Sequence, residues 1–311
     1  MFADYFDASG RQLDIPPGPD TNRALAAALL QGKVYCSLAR LPDDLRAVLH
    51  TISPNVLLPF TRRGIDPFRD HFEVTLRGEG TVRGIGGLRI ADDQCQTTVP
   101  GLYAAGDAAT RELAAGAISG GGNVNSAWAL SSGLIAGEAA ARRVAASGRR
   151  SDAPVQAAGQ AGLRPRRQGA PVDLAGALAT VQRPMLDLDL NVFREGQALN
   201  NSLQRLNSLW QELADHAVAP DAQDVRSVLR HREAAALAAN ARWSALAALQ
   251  RNESRGMHRR SDAPHTDPAQ ARRLLVGGLD VLWTRPDGAA SDTGDNAPPT
   301  GLRQATLETT P

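Results

Sequence analysis

Glycines and one carboxylate cluster in the segment from 97 to 137, TTVPGLYAAGDAATRELAAGAISGGGNVNSAWALSSGLIAG. Gly106 allows a backbone to approach closely, and the Asp107 carboxylate can accept two hydrogen bonds from a polyol. The glycines at 120–122 predict a turn whose free N–H groups lie at the positive end of the helix that follows. The pattern predicts a site for the electron-rich edge of a cofactor.

Two elements have to position these residues. The apolar, β-branched stretch from 99 to 105 predicts a strand that ends at the Gly-Asp pair. The alanine-rich run from 125 to 146 predicts a helix long enough to pack along a sheet. A strand, a glycine turn and a helix would therefore bring Asp107 and the helix start to one place.

Three blocks of the sequence resemble a known family. TTVPGLYAAGDAA followed by GGGNVNSAWALSSGLIAGEAA resembles the second cofactor-binding segment of the FAD-dependent family that includes fumarate reductase and succinate dehydrogenase flavoproteins and L-aspartate oxidase. GTVRGIGGLRI at 80–90 resembles the strand by which that family's chain returns from its capping domain. ARWSALAALQRNESRGMHRRSDAP at 241–264 resembles the family's R-x-E-S-R-G-x-H-x-R-x-D-x-P stretch. The resemblance extends from about residue 60 to about residue 265.

The resemblance implies FAD as the cofactor and assigns roles to individual residues. Asp107 would bond the ribityl chain of FAD, with a plain turn aspartate as the alternative. The glycine turn would present backbone N–H groups near N1 and the C2 carbonyl of the isoalloxazine ring, and Val124 replaces the family's usual Ser there. The cofactor-binding residues so implied are Gly106, Asp107, Gly121, Gly122, Asn123, Val124 and Asn125.

The substrate side departs from the family. The position of the family's carboxylate-binding Arg, two residues before the G-G-N turn, is Ser119, and the position of its His is Val82. A pocket for fumarate or succinate is therefore not expected. Arg83, beside the position of the lost His, is the candidate catalytic residue. Other candidates on the same approach are Arg62, Arg63, His71 and Arg77.

A second polar block, Glu253-Ser254-Arg255-Gly256 with His258, matches the E-S-R-G-x-H part of the family pattern. Its spacing predicts a helix end with Gly256 as the terminating residue and Arg255 free to bond carbonyls or a carboxylate. We interpret it as a structural joint between a helical bundle and the FAD domain. The alternative is His258 as a catalytic base.

The predicted fold is a partial α/β FAD-binding domain with an α+β capping domain and a C-terminal helical bundle. The expected segments are a partial capping domain at 1–85, the C-terminal part of the FAD-binding domain at 86–146 and a linker at 147–171. A helical domain at 172–284 and a disordered tail at 285–311 follow.

The family's N-terminal βαβ unit, with its G-x-G-x-x-G turn for the FAD pyrophosphate, has no counterpart in the sequence. GEGTVRG at 78–84 has the wrong spacing. We therefore expect the C-terminal portion of a flavoprotein. A real truncation, a mis-called start and a separately encoded N-terminal FAD-binding segment all stay open.

The composition excludes several kinds of partner and site. A net charge of +1 over 311 residues gives no reason to expect nucleic acid as a partner, and no apolar run is long enough for a membrane span. The two cysteines, Cys36 and Cys95, match no metal or redox spacing. We expect no metal site, a small-molecule substrate and a cytoplasmic location.

Two hypotheses of function follow. The first is an FAD-dependent oxidoreductase that transfers hydride between an unidentified small organic substrate and flavin, with competence that needs the N-terminal segment. The second is a non-catalytic remnant or scaffold subunit that does not bind FAD on its own.

Overall fold

The computed structural model of the chain describes residues 2–18, 20–78, 87–112, 122–147, 172–216 and 224–287. The chain divides into two compact units. The larger unit combines Met1–Arg77 with Gly159–Pro311, and the smaller unit is Gly78–Ala158.

The N-terminal part of the larger unit is built on a four-stranded antiparallel sheet. Its strands β1 (Asp4–Asp7), β2 (Gln12–Leu13), β3 (Val34–Ser37) and β4 (Phe72–Val74) have the spatial order β2-β1-β3-β4. Cys36 pairs with Tyr5 and Phe72 across the sheet and is buried. Burial raises the pKa of the Cys36 thiol to about 11, so this cysteine is a small apolar core residue.

Three helices accompany the sheet: α1 (Thr21–Gln31), α2 (Asp43–Ile52) and α3 (Pro54–Thr61). The helical pattern of the sequence from 21 to 30 predicts α1, and this prediction is confirmed. Helices α2 and α3 were not predicted. No residue of either helix is buried, so their apolar residues do not form the core-facing stripe from which a helix is predicted.

The C-terminal part of the larger unit is helical. It contains α5 (Leu174–Leu186), α6 (Leu188–Asn191), α7 (Gly196–His216) and α8 (Val225–Gln250); α4 (Gly122–Ser147) belongs to the smaller unit. Large side chains of α7 pack on a surface of small side chains of α8, which lets the two helices approach closely. The core residues from these two helices are Leu203, Leu206, Leu209, Trp210 and Leu213 with Ala235, Ala238, Ala239, Ala241 and Ala245. Full burial of one such leucine contributes about 1.5–3 kcal/mol.

A β-hairpin closes the helical part, and here the sequence prediction was wrong. Strands β5 (Leu274–Gly277) and β6 (Trp283–Pro286) pair in antiparallel register, where the helical domain was expected to extend to 284 and the disordered tail to begin at 285. Two side chains of α8 hold the turn: Trp243 Nε1 donates to the Gly278 carbonyl at 2.7 Å, and Arg242 Nη1 donates to the Leu279 carbonyl at 2.6 Å. The hairpin depends on these tertiary contacts, which a helical apolar spacing does not reveal. The expected tail beyond residue 287 lies outside the described residues.

The two parts of the larger unit contact each other around α1, where the Asp20 carboxylate at the start of the helix lies 3.1 Å from Arg259 Nη2. Arg23 Nη1 donates to the Val192 carbonyl at 3.3 Å, and its guanidinium lies 4.6 Å from the centroid of the Phe193 ring. The sheet and the helical part therefore share contacts within this unit.

The described residues of the smaller unit form a short irregular β region and a long helix, α4 (Gly122–Ser147). The helix confirms the run predicted from 125 to 146. The predicted strand at 99–105 is not a regular strand; the described backbone there makes isolated bridges, Gln96↔Tyr103 and Ile90↔Thr97 antiparallel and Leu88↔Ala109 parallel. No described helix combines the length and apolar composition that a membrane span needs.

Gly278→Ala tests the hairpin turn. Gly278 has φ +86°, and an added Cβ would overlap the Val281 carbonyl oxygen. We expect the free energy of unfolding to fall by about 1–3 kcal/mol, measured by urea denaturation. Gly133→Ala in α4 is the control: an added Cβ there meets nothing within 4 Å, so this helix should gain about 0.5–1 kcal/mol. A neutral Gly278→Ala would contradict the described turn.

Candidate cofactor-binding site

The Gly-Asp pair forms a single turn of 3₁₀-helix, Gly106–Ala108, in the smaller unit. The extended backbone of Ala105 (φ −142°, ψ 161°) leads into it. Gly106 has φ +59°, which L side chains rarely adopt, so glycine is required at this position. Asp107 is exposed, so its carboxylate points away from the core of the unit.

Helix α4 binds both polar groups of Gly106. The Gly106 N–H donates to Ser132 Oγ at 2.9 Å, and the Gly106 carbonyl accepts from Trp128 Nε1 at 2.9 Å. The Ser132 hydroxyl in turn donates to the Trp128 carbonyl, and Ser132 is fully buried. We call this arrangement the Gly106 clamp. Neither Trp128 nor Ser132 was predicted as part of the site; their four-residue spacing places them on one helix face but does not identify Gly106 as their partner.

The other side of the turn is fixed by backbone contacts. Leu88 N–H donates to the Ala108 carbonyl at 2.7 Å, and Thr110 N–H donates to the Leu88 carbonyl at 2.9 Å. A Cβ on Gly87, which has φ +85°, would lie 2.7 Å from the Ala108 oxygen. Gly87 therefore allows this close approach, and the turn is held from two sides.

The start of α4 supplies the second half of the predicted site. Gly122 and Asn123 are its first residues, Val124 is exposed, and Asn125 is half-buried. Asn125 Oδ1 is itself buried and has no hydrogen-bond partner in the described part of the chain. Six residues separate Gly122 from Trp128, so a ligand that reached from the helix start to the clamped turn would extend over about 9 Å of helix axis.

Several residues that the sequence suggests for the site are not placed beside the Gly106–Asp107 turn by the described structure. Arg83, Gly121, Ser119 and Val82 lie outside the described residues. Arg62, Arg63, His71 and Arg77 are exposed on the larger unit, where the His71 ring stacks on Phe6 with centroids 4.0 Å apart. Within the described ranges, no group of three His, Cys, Asp or Glu side chains could hold a metal ion.

The E-S-R-G-x-H block of the larger unit is organised around Glu253, whose side chain is fully buried. Its Oε1 accepts from Arg251 Nη1 at 2.7 Å and from Arg255 Nε at 2.9 Å. Its Oε2 accepts from Arg255 Nη2 at 3.0 Å and from Asp267 N–H at 2.8 Å. The hydrogen bonds from Arg255, above all, hold the pKa of Glu253 down to about 2. The prediction that Arg255 bonds a carboxylate or carbonyls is thereby confirmed.

Gly256 does not terminate a helix, and this prediction was wrong. Helix α8 already ends at Gln250, and Gly256, with φ +58°, lies in a separate turn. Arg255 and His258 close that turn with reciprocal backbone hydrogen bonds of 2.7 and 3.0 Å. The charged Glu253 network ends the helix earlier than the glycine signal indicates.

Both ring nitrogens of His258 are occupied. Arg194 Nη1 donates to Nδ1 at 2.9 Å, so Nε2 carries the proton and donates to the Arg251 carbonyl at 2.9 Å. Burial lowers the pKa of His258 below its ordinary value, and nearby arginines lower it further. A neutral imidazole with a hydrogen bond at each ring nitrogen has no nitrogen free for a substrate. The geometry therefore favours the interpretation of this block as a structural joint over His258 as a catalytic base.

The block joins α7 to the end of α8. Arg260 donates to Asp262, and its Nη1 donates to the Leu249 carbonyl at 3.0 Å. Asp262 Oδ2 accepts from Gly196 N–H, at the start of α7, at 3.0 Å. The joint that the structure describes is therefore inside the helical part of the larger unit.

The pH dependence of stability tests the Glu253 network. Its folded pKa of about 2 is below the ordinary 4.5, so its stabilisation is fully present above pH 4.5 and is lost as pH falls towards 2. We expect Glu253→Gln to lower the thermal midpoint at pH 7 and to flatten the decline between pH 4.5 and 2, because an amide cannot accept all four hydrogen bonds. The exposed Glu233→Gln should leave both unchanged. Equal behaviour of the two variants would contradict the network.

Comparison with known proteins identifies the family. Residues 180–277 match the family model described as the C-terminal part of the fumarate reductase flavoprotein. The L-aspartate oxidase of Rhodospirillum rubrum is 29% identical over 319 residues, which cover 96% of this chain and 99% of the relative. The L-aspartate oxidase of Mycobacterium tuberculosis H37Rv is 31% identical over 233 residues, 73% of this chain and 38% of the relative.

A solved structure of a variant of E. coli quinol fumarate reductase FrdA has the same fold. It superimposes with a TM-score of 0.65 at 20% identity, over 92% of this chain and 54% of that chain. The chain thus spans about half of this structural relative and 38% of the M. tuberculosis relative, although it spans nearly all of the R. rubrum one. The chain belongs to the fumarate reductase and succinate dehydrogenase family of flavoproteins, which includes L-aspartate oxidase, and corresponds to the C-terminal portion of the longer members.

Proposed function

We propose that this chain is part of an FAD-dependent oxidoreductase in which hydride passes between a small organic substrate and the flavin. The observation that carries the proposal is the Gly106 clamp. It fixes the backbone before the exposed Asp107 against Trp128 and Ser132 of α4. Family membership supplies the cofactor class.

The residues present fit FAD. Asp107 offers an exposed acceptor for the hydroxyls of a polyol, and Asn125 Oδ1 is a buried acceptor for which the described residues provide no donor. The backbone of Gly121, Gly122 and Asn123, with Val124 and Asn125 beside it, would face the isoalloxazine edge. A helix start stabilises negative charge by about 0.3–1 kcal/mol, and by more where the charge is partly buried. When bound, FAD would accept or donate the hydride, while the protein supplies orientation and charge.

The substrate and the remaining groups are part of the proposal. Ser119 and Val82 stand where the family has Arg and His, which argues against a dicarboxylate substrate, although the curated relatives are named L-aspartate oxidases. Arg83 would serve as proton donor or anion clamp. The pyrophosphate would be bound by an N-terminal G-x-G-x-x-G segment, in the same polypeptide or in a separate chain. A cytoplasmic location stays a prediction.

Ser132→Ala tests the Gly106 clamp without any cofactor. Loss of Ser132 Oγ leaves the partly buried Gly106 N–H without its acceptor, which costs about 1–3 kcal/mol of unfolding free energy. Ser131→Ala removes the neighbouring exposed hydroxyl and should change stability by less than about 0.5 kcal/mol. Urea denaturation of the 311-residue chain measures both. Indistinguishable variants would mean that the clamp contributes nothing.

Asp107→Ala tests the cofactor assignment. The segment of the M. tuberculosis relative that precedes the matched region is placed before this chain; we call the product the fusion protein. Loss of a charge-assisted hydrogen bond of about 1.5–3 kcal/mol should weaken FAD binding at least about tenfold, measured by flavin fluorescence titration. Asp93→Ala, at an exposed aspartate of the same unit, is the control and should bind FAD as the parent does.

Two outcomes would overturn the proposal. If Asp107→Ala holds FAD as tightly as the parent, Asp107 is only a turn residue and the assignment of the site fails. If the folded parent fusion protein binds no FAD, the non-catalytic scaffold becomes the better description.

A further inference from the structure

His258 is held between two elements that are distant in the sequence. Its Nδ1 accepts from Arg194, in the connection from α6 to α7, and its Nε2 donates to the carbonyl of Arg251, just after α8. The same connection is bound a second time, because the Arg194 carbonyl accepts from Ser261 N–H at 2.9 Å. We call the hydrogen bonds of Arg194 to His258 and Ser261 the Arg194 joint. They fix the start of α7 to the loop that follows α8.

The guanidinium of Arg194 is half-buried and, among the described residues, binds neutral acceptors only. Its Nε donates to the Asn191 carbonyl at 2.9 Å, its Nη2 to Asn191 Oδ1 at 2.8 Å and its Nη1 to His258 Nδ1 at 2.9 Å. A cation that is removed from water normally has a carboxylate partner, because its desolvation is costly. Here the lone pair of a neutral imidazole supplies one of the acceptors, and an imidazole that takes up a proton loses that lone pair.

The charges that act on His258 are all positive. They belong to Arg194, to Arg260 in the loop of His258 itself and to Arg251 at the end of α8. The carboxylates of the same block are bound to arginines: Glu253 to Arg251 and Arg255, and Asp262 to Arg260. Burial is the main cause of the lowered pKa of His258, the three arginines add to it, and the hydrogen bond to the Arg251 carbonyl opposes it. A proton on this imidazole therefore meets three cations.

We propose that the Arg194 joint is a pH-sensitive switch, which is closed when His258 is neutral and opens when its imidazole takes up a proton. An imidazolium offers no acceptor to Arg194 Nη1 and repels that guanidinium, whereas water hydrates both cations once the joint is open. Helix α1 is attached on both sides of the joint, at Val192 and Phe193 next to Arg194 and at Arg259 next to His258. Opening therefore frees the two attachment points of α1 from each other.

The direction of the pH dependence follows from the pKa of His258. Its folded pKa is below the ordinary value of 6.5, so the opened or unfolded chain takes up the proton first. The stabilisation is fully present above pH 6.5 and is lost as pH falls from 6.5 towards the folded pKa. This loss begins at a higher pH than the loss from Glu253, which begins at 4.5, so the two groups are measured in different ranges.

His258→Gln tests the switch in the 311-residue chain. An amide carries an acceptor and a donor, as a neutral imidazole does, but it does not titrate. Between about pH 7.5 and about pH 5, the thermal midpoint of the parent should fall by at least about 2 °C more than that of His258→Gln. His265→Gln, at an exposed histidine of the loop after α8, is the matched control and should decline with pH as the parent does. An equal decline of the parent and His258→Gln would overturn the proposal.

Hydrogen exchange distinguishes local opening of the joint from a general loss of stability. Ser261 N–H donates to the Arg194 carbonyl across the joint, and Leu88 N–H donates to the Ala108 carbonyl in the smaller unit. After correction for intrinsic exchange rates, the protection of Ser261 should fall at least about fivefold between about pH 7.5 and about pH 5, while that of Leu88 is unchanged. Equal losses at both amides, or a loss at Ser261 that persists in His258→Gln, would contradict a local switch.

A histidine titration by NMR makes the test independent of any variant. The ring nitrogen shifts of the parent should show His258 with its proton on Nε2 at neutral pH and should titrate with a midpoint below 6.5. A His258→Gln chain that does not fold leaves this measurement in place. A midpoint at or above 6.5, or a neutral ring with its proton on Nδ1, would overturn the proposal.

Discussion

The smaller unit depends on the hydrogen bonds of one residue. Gly106 directs both its N–H and its carbonyl into side chains of α4, and its positive φ allows the chain to turn there. With both backbone groups bound to the helix, the next residue leaves the surface in a fixed direction. Asp107 can be exposed and still be precisely placed, which is what a group that contacts a cofactor requires. The specificity of the turn comes from a half-buried tryptophan and a buried serine, and neither of them has to touch a ligand.

The larger unit shows the opposite use of polar residues. The block from Glu253 to His258 has the residue types of an active site, namely carboxylate, hydroxyl, guanidinium and imidazole. Its hydrogen bonds are nevertheless directed inward: Glu253 accepts four of them, and both nitrogens of His258 are bound. A buried carboxylate needs this number of donors to stay ionised. The sequence similarity of this block to the family therefore reports on architecture, and chemistry has to be assigned to other residues.

How far the sequence predicts the structure differs from element to element. Local apolar spacing predicts helices at 21–30, 125–146 and about 221–249 and a strand at 34–38, and the bounds of α1, α4, α8 and β3 agree with these to within a few residues. The position of the Gly-Asp turn before α4 also follows from the sequence. The β5–β6 hairpin does not, because Arg242 and Trp243 hold it from 35 or more residues away. The Gly106 clamp was missed for the same reason, since a partner 22 to 26 residues distant leaves no local pattern. The misassigned role of Gly256 shows that a glycine signal is overridden where a charged network ends a helix first.

The placement of the two cysteines gives the molecule an internal reporter. Cys36 lies in the sheet of the larger unit and Cys95 in the smaller unit, and both are buried and free. Burial raises the pKa of both thiols, so neither is present as thiolate to a useful extent at neutral pH. Alkylation of either sulfur must therefore wait for local opening of the unit that contains it. Mass spectrometry of the two alkylated peptides would consequently measure the rate of local opening of each unit separately, in the natural sequence and without an added probe.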